Sequence, residues 1–233
     1  MNTNDLLTGG KPEKPKHHAR DAFHAWMLKG ASYAGPLDMP VLKGMVVEPE
    51  RIVTFSDAMS KGWKDFDCWA HCFEDDAQIN RFWHNLKAYI GKLSKLKGVI
   101  GLDYSVSWDF PVALKDYNHF RNSICTYWLQ SMGLNVVPQA RCEAGNYEAV
   151  LAGFPKHSTV AIGARSMVRD LDDRKVLLAS VKNICDFLEP SNILWYGSDQ
   201  YGVTEHPISK GIPVKVYPGK GRGKLSHHNE GDA

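Results

Sequence analysis

Long hydrophobic runs are missing from this 233-residue chain. Its apolar stretches stay short of the roughly 20 residues that span a bilayer, and the polar start MNTNDLLTGGKPEKPKHHAR has no apolar core of a secretion signal. No membrane association is therefore expected, and a soluble, cytoplasmic protein is. Cysteine is scarce as well. The five cysteines (Cys68, Cys72, Cys125, Cys142 and Cys185) are odd in number and scattered, which argues against a disulfide framework and suits a reducing compartment. A charge excess of either sign is also lacking: 28 Lys and Arg stand against 26 Asp and Glu, for a net charge of +2, so the whole chain is not a polyanion binder. Any nucleic-acid contact would be local.

Most chemical motifs are absent too. No G-x-G-x-x-G follows a strand, and there is no G-x-S-x-G elbow and no H-E-x-x-H. GKGRGKLS near the C-terminus has the wrong spacing for a phosphate loop, Leu225 in place of Ser or Thr, and no room for a following helix. CWAHC (residues 68–72) offers soft ligands, but no second pair at suitable spacing completes a zinc site, and no metal is expected. The cofactor is left unknown. Trp63, Trp69 and Trp83 cluster along the chain, and packing rather than base stacking is their expected role.

What is present is a core-forming composition, 43% hydrophobic, and an alternation of two periodicities. Short β-branched runs mark strands at Arg51–Phe55, Gly98–Asp103, Asn135–Gln139, Thr159–Gly163, Ile193–Gly197 and Val214–Tyr217, and helical patterns run over 75–96, 111–132, 146–152 and 171–188. This alternation predicts an α/β fold: a mainly parallel sheet of about six strands with alternating helices, doubly wound or a partial barrel. Several boundaries have chemical causes. Glu74 to Asp76 open one helix, Asp109 and Pro111 suit the start of the next, Gly133 its end, and Asp170 to Asp173 the start of the last. Pro213 cannot donate to a ladder, which sends Val214–Tyr217 to a sheet edge. Residues 1–20 and 219–233 lack apolar periodicity and read as flexible basic arms flanking a single α/β domain at 21–218, with Lys220, Arg222 and Lys224 among their cations.

The polar residues collect where strands end. Phe55 leads into Asp57, Ile100 into Asp103 and Ser105, Val137 into Gln139 and Arg141, Ile162 into Arg165, and Trp195 into Tyr196 and Asp199. In an open parallel sheet these carboxyl ends share one edge, where ligand crevices form. Asn118, Arg121 and Asn122 follow i, i+3, i+4 spacing and share a helix face that can lean back over that edge. Arg121 sits among Tyr117, Ile124 and Trp128, so its guanidinium needs an anion. Two partners are open: Asp103, as a structural ion pair, or the phosphate or carboxylate of a ligand. His119 falls about 100° around the helix from this face and is not expected in the site.

GLDYSVSWDFPVALKDYNHFRN (residues 101–122), followed by YWLQSMGLNVVPQARC, GFPKHSTVAIGA and LEPSNILWYG, resembles a domain-of-unknown-function family common in phages, prophages and mobile elements. The shared pattern is Asp-x-Ser at a strand end, Asp-x-Pro at a helix start, Asn-x-x-Arg-Asn on its face, a Gly-x-Asn-Val-x-Pro strand, a Gly-x-Pro turn and a final Tyr-Gly. Here Phe110 lies between Asp109 and Pro111 where Met is commoner, and Arg141 stands where an aromatic is usual. The resemblance implies a mobile-element setting and a shared crevice, and no reaction.

Two functions are expected from these readings. The first is a nucleotide- or nucleic-acid-directed enzyme or ligand-binding protein. Asp103, Arg121 and Ser105 carry its chemistry, and Asn118, Asn122, Asp57, Arg165, Tyr196 and Asp199 bind the ligand. The second is a non-enzymatic regulator of phage DNA transactions, such as a recombination directionality factor. Its partner would be an integrase or replication protein, or nucleic acid held by the basic tails.

Overall fold

The computed structural model describes residue 21, residues 23–165 and residues 167–219. The two basic arms lie almost wholly outside these residues. After a short 3-10 turn, Ala25–Leu28, come a hairpin of β1 (Tyr33–Ala34) and β2 (Met39–Pro40), then β3 (Ile52–Thr54), α1 (Phe55–Ala58), β4 (Trp69–Cys72), α2 (Asp76–Leu93), β5 (Gly98–Leu102), α3 (Val112–Ser131) and β6 (Val136–Val137). The chain continues through α4 (Tyr147–Val150), β7 (Thr159–Gly163), α5 (Leu171–Leu188), β8 (Asn192–Tyr196), α6 (Glu205–Ser209) and β9 (Val214–Tyr217).

The fold is α/β, with all pairings outside the hairpin parallel. One sheet has the order β3-β4-β5-β6 and another β7-β8-β9. A parallel bridge from Gln139 to Ala161 joins their neighbouring edges, with Ala140 N–H donating to Ala161 O at 2.8 Å and Ala161 N–H to Pro138 O at 2.9 Å. The order follows the chain without the reversal that marks a doubly wound sheet. Among the described residues β9 pairs with β8 alone, in accord with the edge position expected from Pro213.

The strands beyond those expected are the hairpin pair β1 and β2 and, within the parallel sheet, β4, which takes up Trp69–Cys72 of the CWAHC stretch. Trp69, Ala70, His71 and Cys72 are all buried, so the segment shows no polar–apolar alternation. Its cysteines are free, and burial pushes the Cys72 thiol well above its ordinary range. Among the described residues, no group of three or more His, Cys, Asp or Glu is placed to hold a metal ion.

Alternate side chains along the strands enter different clusters, which locates the helices. Ala70, Val99 and Val136 pack with Ile79, Phe82 and Leu86 of α2 and Ile124 and Leu129 of α3. Val160, Ile162, Ile193 and Trp195 pack with Leu177, Val181 and Ile184 of α5. The intervening residues, Trp69, Ile100, Val137, Ala161, Leu194, Tyr196 and Tyr217, form a third cluster with Met45 and Val47. All three long helices therefore cover one face of the strands.

The other face is crossed by residues 45–49. Thr159 N–H donates to Met45 O at 2.8 Å, Val47 N–H donates to Thr159 Oγ1 at 2.9 Å, and Asn192 Nδ2 donates to Val47 O at 3.0 Å. Lys215 pairs with Glu48, and the Tyr217 hydroxyl donates to Pro49 O. Thr159 and Asn192 begin their strands, so this segment is fastened at the N-terminal ends of β7 and β8.

Side-chain caps open α1 and α5, while α2 and α3 begin at Asp75 and Pro111 without one, so the expected Asp109 cap is not formed. The Asp170 carboxylate accepts from the backbone N–H groups of Asp172 and Asp173 at the start of α5. Gly133 adopts φ +85° just past α3, a conformation that penalises a β-carbon. Among the described residues, no helix is long and apolar enough to cross a membrane.

Candidate functional site

Parallel pairing sets the ends of β4, β5, β7 and β8 along one edge, and the residues that follow them meet there. The Phe73 ring stacks on Tyr196 with centroids 5.0 Å apart, and the His71 ring lies 4.4 Å from Tyr196. Beside them sits Asp103, whose side chain is 13% exposed. Gly163 makes this approach feasible: a β-carbon there would lie 2.6 Å from the Phe73 ring and 2.8 Å from Asp103 Oδ2. Gly197 adopts φ +127°, and a β-carbon on it would stand 2.9 Å from the Arg165 backbone nitrogen.

Asp103 pairs with Arg141 rather than with Arg121. Arg141 Nη2 lies 3.4 Å from Asp103 Oδ2 and donates to Gly163 O at 3.2 Å. The other carboxylate oxygen of Asp103 is buried without a hydrogen bond. Burial raises the proton affinity of Asp103, with Asp76 adding to the rise and Arg141 and His119 opposing it. A carboxyl in such surroundings can hold or release a proton nearer neutrality than a solvated one.

A second charged pair adjoins the first. His119 Nε2 lies 3.3 Å from Glu143 Oε2, and Lys115 Nζ lies 3.8 Å from Glu143 Oε1. Burial alone would raise the Glu143 carboxyl, but its hydrogen bonds with His119 and Asn146 and the nearby charges of His119 and Lys115 hold it below its ordinary range. The 100° offset of His119 from the Asn118 face is real, and it turns the imidazole toward the loop after β6. Arg141 and Glu143 line one small cavity with Gly163 and Met167.

Arg121 is held elsewhere. Its guanidinium carbon lies 3.5 Å from the Tyr104 ring centroid and 5.0 Å from that of Tyr117, and one nitrogen donates to Asn118 Oδ1. Of the two partners left open for Arg121, the Asp103 pair is not formed: the Tyr104 ring presents a π face to the cation instead. Asn118 and Asn122 point at backbone. Asn118 Nδ2 donates to Ser105 O at 2.6 Å, and Tyr104 N–H donates to Asn122 Oδ1 at 2.9 Å. Ser105 is drawn to the start of α2, where its N–H and hydroxyl both lie 3.1 Å from Asp76 Oδ1. These contacts fasten the segment after β5 between α2 and α3, and so fix Asp103.

Of the remaining expected residues, Tyr196 is buried at the edge and Asp57 lies half-buried in α1 at the end of β3. Arg165 and Asp199 are exposed on the loops after β7 and β8. No hydrogen bond or ion pair among the described residues joins either to Asp103. Sequence reasoning missed Glu143, His119 and the role of Arg141. The signal for Arg141 was available, since a charged residue stands where the resembling family has an aromatic.

The comparisons with known proteins agree with this picture at the level of family. The chain is similar to the Gene 1 protein of Mycobacterium phage D29, 26% identical over 133 residues that cover 56% of this chain and 49% of that protein. It is likewise similar to the Gene 1 protein of Mycobacterium phage L5, 26% identical over 151 residues covering 64% of this chain and 63% of that protein. The match thus spans about half of the first relative and under two thirds of the second. No solved structure matches. The family described as "Domain of unknown function (DUF4417)" matches residues 31–210, which take in every element from β1 to α6, and the chain belongs to that phage-associated family.

Proposed function

We propose that the carboxyl edge of the strands is a ligand-binding or catalytic site directed at a nucleotide or nucleic-acid end, with Asp103 as its proton-holding group. The observation that carries this reading is the buried Asp103 carboxylate, one oxygen unbonded, beside Arg141 at the edge where parallel sheets place ligands. The chain has further groups suited to such a ligand. Trp108, 63% exposed, lies in the same loop as Asp103 and offers a stacking face, and exposed Arg165 offers a cation for a phosphate. Arg141 orients Asp103, while Asp57, Tyr196 and Asp199 occupy the same edge. Asn118, Asn122, Ser105 and Arg121 support the loop behind the site.

Docking on an integrase or replication protein is the second reading. It draws on the exposed apolar side chains Trp108, Val112 and Leu114 around the start of α3.

The two are separated by amide NMR of the full chain titrated with mononucleotides and a short single-stranded DNA. The first reading expects shifts at Asp103, Arg141, Gly163 and the Trp108 indole. Shifts confined to residues 1–20 and 220–233, or none at millimolar ligand, would remove it.

A further inference from the structure

The chain passes out of the described residues at this same edge. β9 runs parallel to β8 with Tyr217 level with Tyr196, which is level in turn with Gly163 of β7. Gly197 N–H donates to Tyr217 O at 3.0 Å. Two residues on, Gly219 stands beside the loops that follow β7 and β8: a β-carbon on it would lie 3.6 Å from Arg165 Cγ and 3.7 Å from Gly197 Cα. The sequence that follows directly is Lys220-Gly221-Arg222-Gly223-Lys224. At no more than roughly 3.6 Å per residue, Lys224 is tethered within about 18 Å of Gly219.

Positive charge is concentrated on this stretch, although the whole chain is nearly balanced. Residues 206–229 contain no Asp or Glu. Arg165 is exposed, and no ion pair engages it among the described residues. The loop after β8 sets one carboxylate, Asp199, against these cations. Arg165, Lys220, Arg222 and Lys224 are more cations than the single phosphate of a free nucleotide can use. On the reading of this edge as a nucleotide site, we infer that its ligand is a single-stranded nucleic acid: one nucleotide sits at Asp103, and Arg165, Lys220, Arg222 and Lys224 meet phosphates further along the strand. Gly221 and Gly223 let the cations follow a flexible backbone, and exposed Trp108 adds a stacking face. A base that reaches Asp103 has to be unpaired, which excludes an intact duplex.

The test compares the affinity of the full chain for TMP, by calorimetry, with that for an oligothymidylate of about eight nucleotides, by fluorescence anisotropy over a salt series. The oligonucleotide is expected to bind at least about tenfold more tightly than TMP, with a slope of log affinity against log salt near −3, as about four phosphate contacts to a single strand give. Combining Lys220→Gln, Arg222→Gln and Lys224→Gln should weaken the oligonucleotide at least about tenfold and flatten the slope by about 2, with TMP binding unchanged. An oligonucleotide no tighter than TMP, or a triple variant with wild-type affinity and slope, would overturn the inference and leave the nucleotide site standing. Oligonucleotide binding that is lost with the three cations yet untouched by Asp103→Asn would put the strand away from Asp103 and overturn both.

Discussion

Replacing Asp103 with asparagine is expected to change how stability depends on pH. Burial makes the folded-state carboxyl bind its proton more readily than the unfolded chain does, whose ordinary value is 3.8. The native state therefore holds more proton from that value upward, and its stability falls as pH rises through the raised folded value. The loss is complete above it, where the ionised carboxylate is buried with one oxygen unbonded. Glu143 works in the other direction. Its folded carboxyl is depressed below its ordinary 4.5, so its contribution is full above that value and is lost as pH falls through the folded one. In Asp103→Asn only the second dependence is left. Chemical unfolding of both proteins from pH 4 to pH 8 should show the wild type losing ground to the variant as pH rises. A constant difference across that range would mean that Asp103 is solvated.

Trp195→Ala is expected to be the most damaging single truncation of the core. Trp195 is fully buried on the helix-bearing face of β8, packs in the cluster built on α5, and donates from its indole Nε1 to Ser198 O at 3.0 Å. Truncation removes the largest of the fully buried side chains and leaves that carbonyl without its donor. Large-to-small changes of this kind cost about 3–5 kcal/mol. For a chain of this size that lowers the unfolding midpoint by on the order of 10 °C, which thermal unfolding would detect directly. The substitution also loosens the turn after β8 that carries Asp199. A drop of only a degree or two would place Trp195 outside the cooperative core.

The alternation of strands and helices was legible because β-branched runs and helical periodicity survive in single segments. Of the helix starts read from acidic residues, Asp170 caps α5 with hydrogen bonds, whereas Pro111 rather than Asp109 stands at the N-cap of α3 and Asp75 at that of α2 makes no cap bond. β4 escaped because its four residues are all buried and include a histidine, so the stretch resembled a metal motif more than a strand. Strand order was beyond reach, since it depends on how the sheet is covered. That coverage is settled by residues 45–49, whose hydrogen bonds reach more than a hundred positions along the chain.

At the site, spacing brought the strand-end residues to one edge and left open which cation would meet Asp103. The i, i+3, i+4 pattern correctly put Asn118, Arg121 and Asn122 on one face. Nothing in that pattern could tell that Arg121 would stack on Tyr104 and donate to Asn118, or that Asn118 and Asn122 would also bind the backbone after β5. Arg141 and Glu143 come from an irregular segment after a two-residue strand, where no periodicity guides the reading. Arg141, which departs from the family pattern, is the group that touches Asp103.

On the proposed reading, this edge, organised around Asp103, is where the chain meets its ligand. The most direct measurement is the affinity of a mononucleotide for the wild type and for Asp103→Asn, compared at a pH where both are equally stable. The account predicts binding to the wild type and at least about tenfold weaker binding to the variant, with the unfolding midpoints of the two close together. Equal affinity in two equally folded proteins would contradict it.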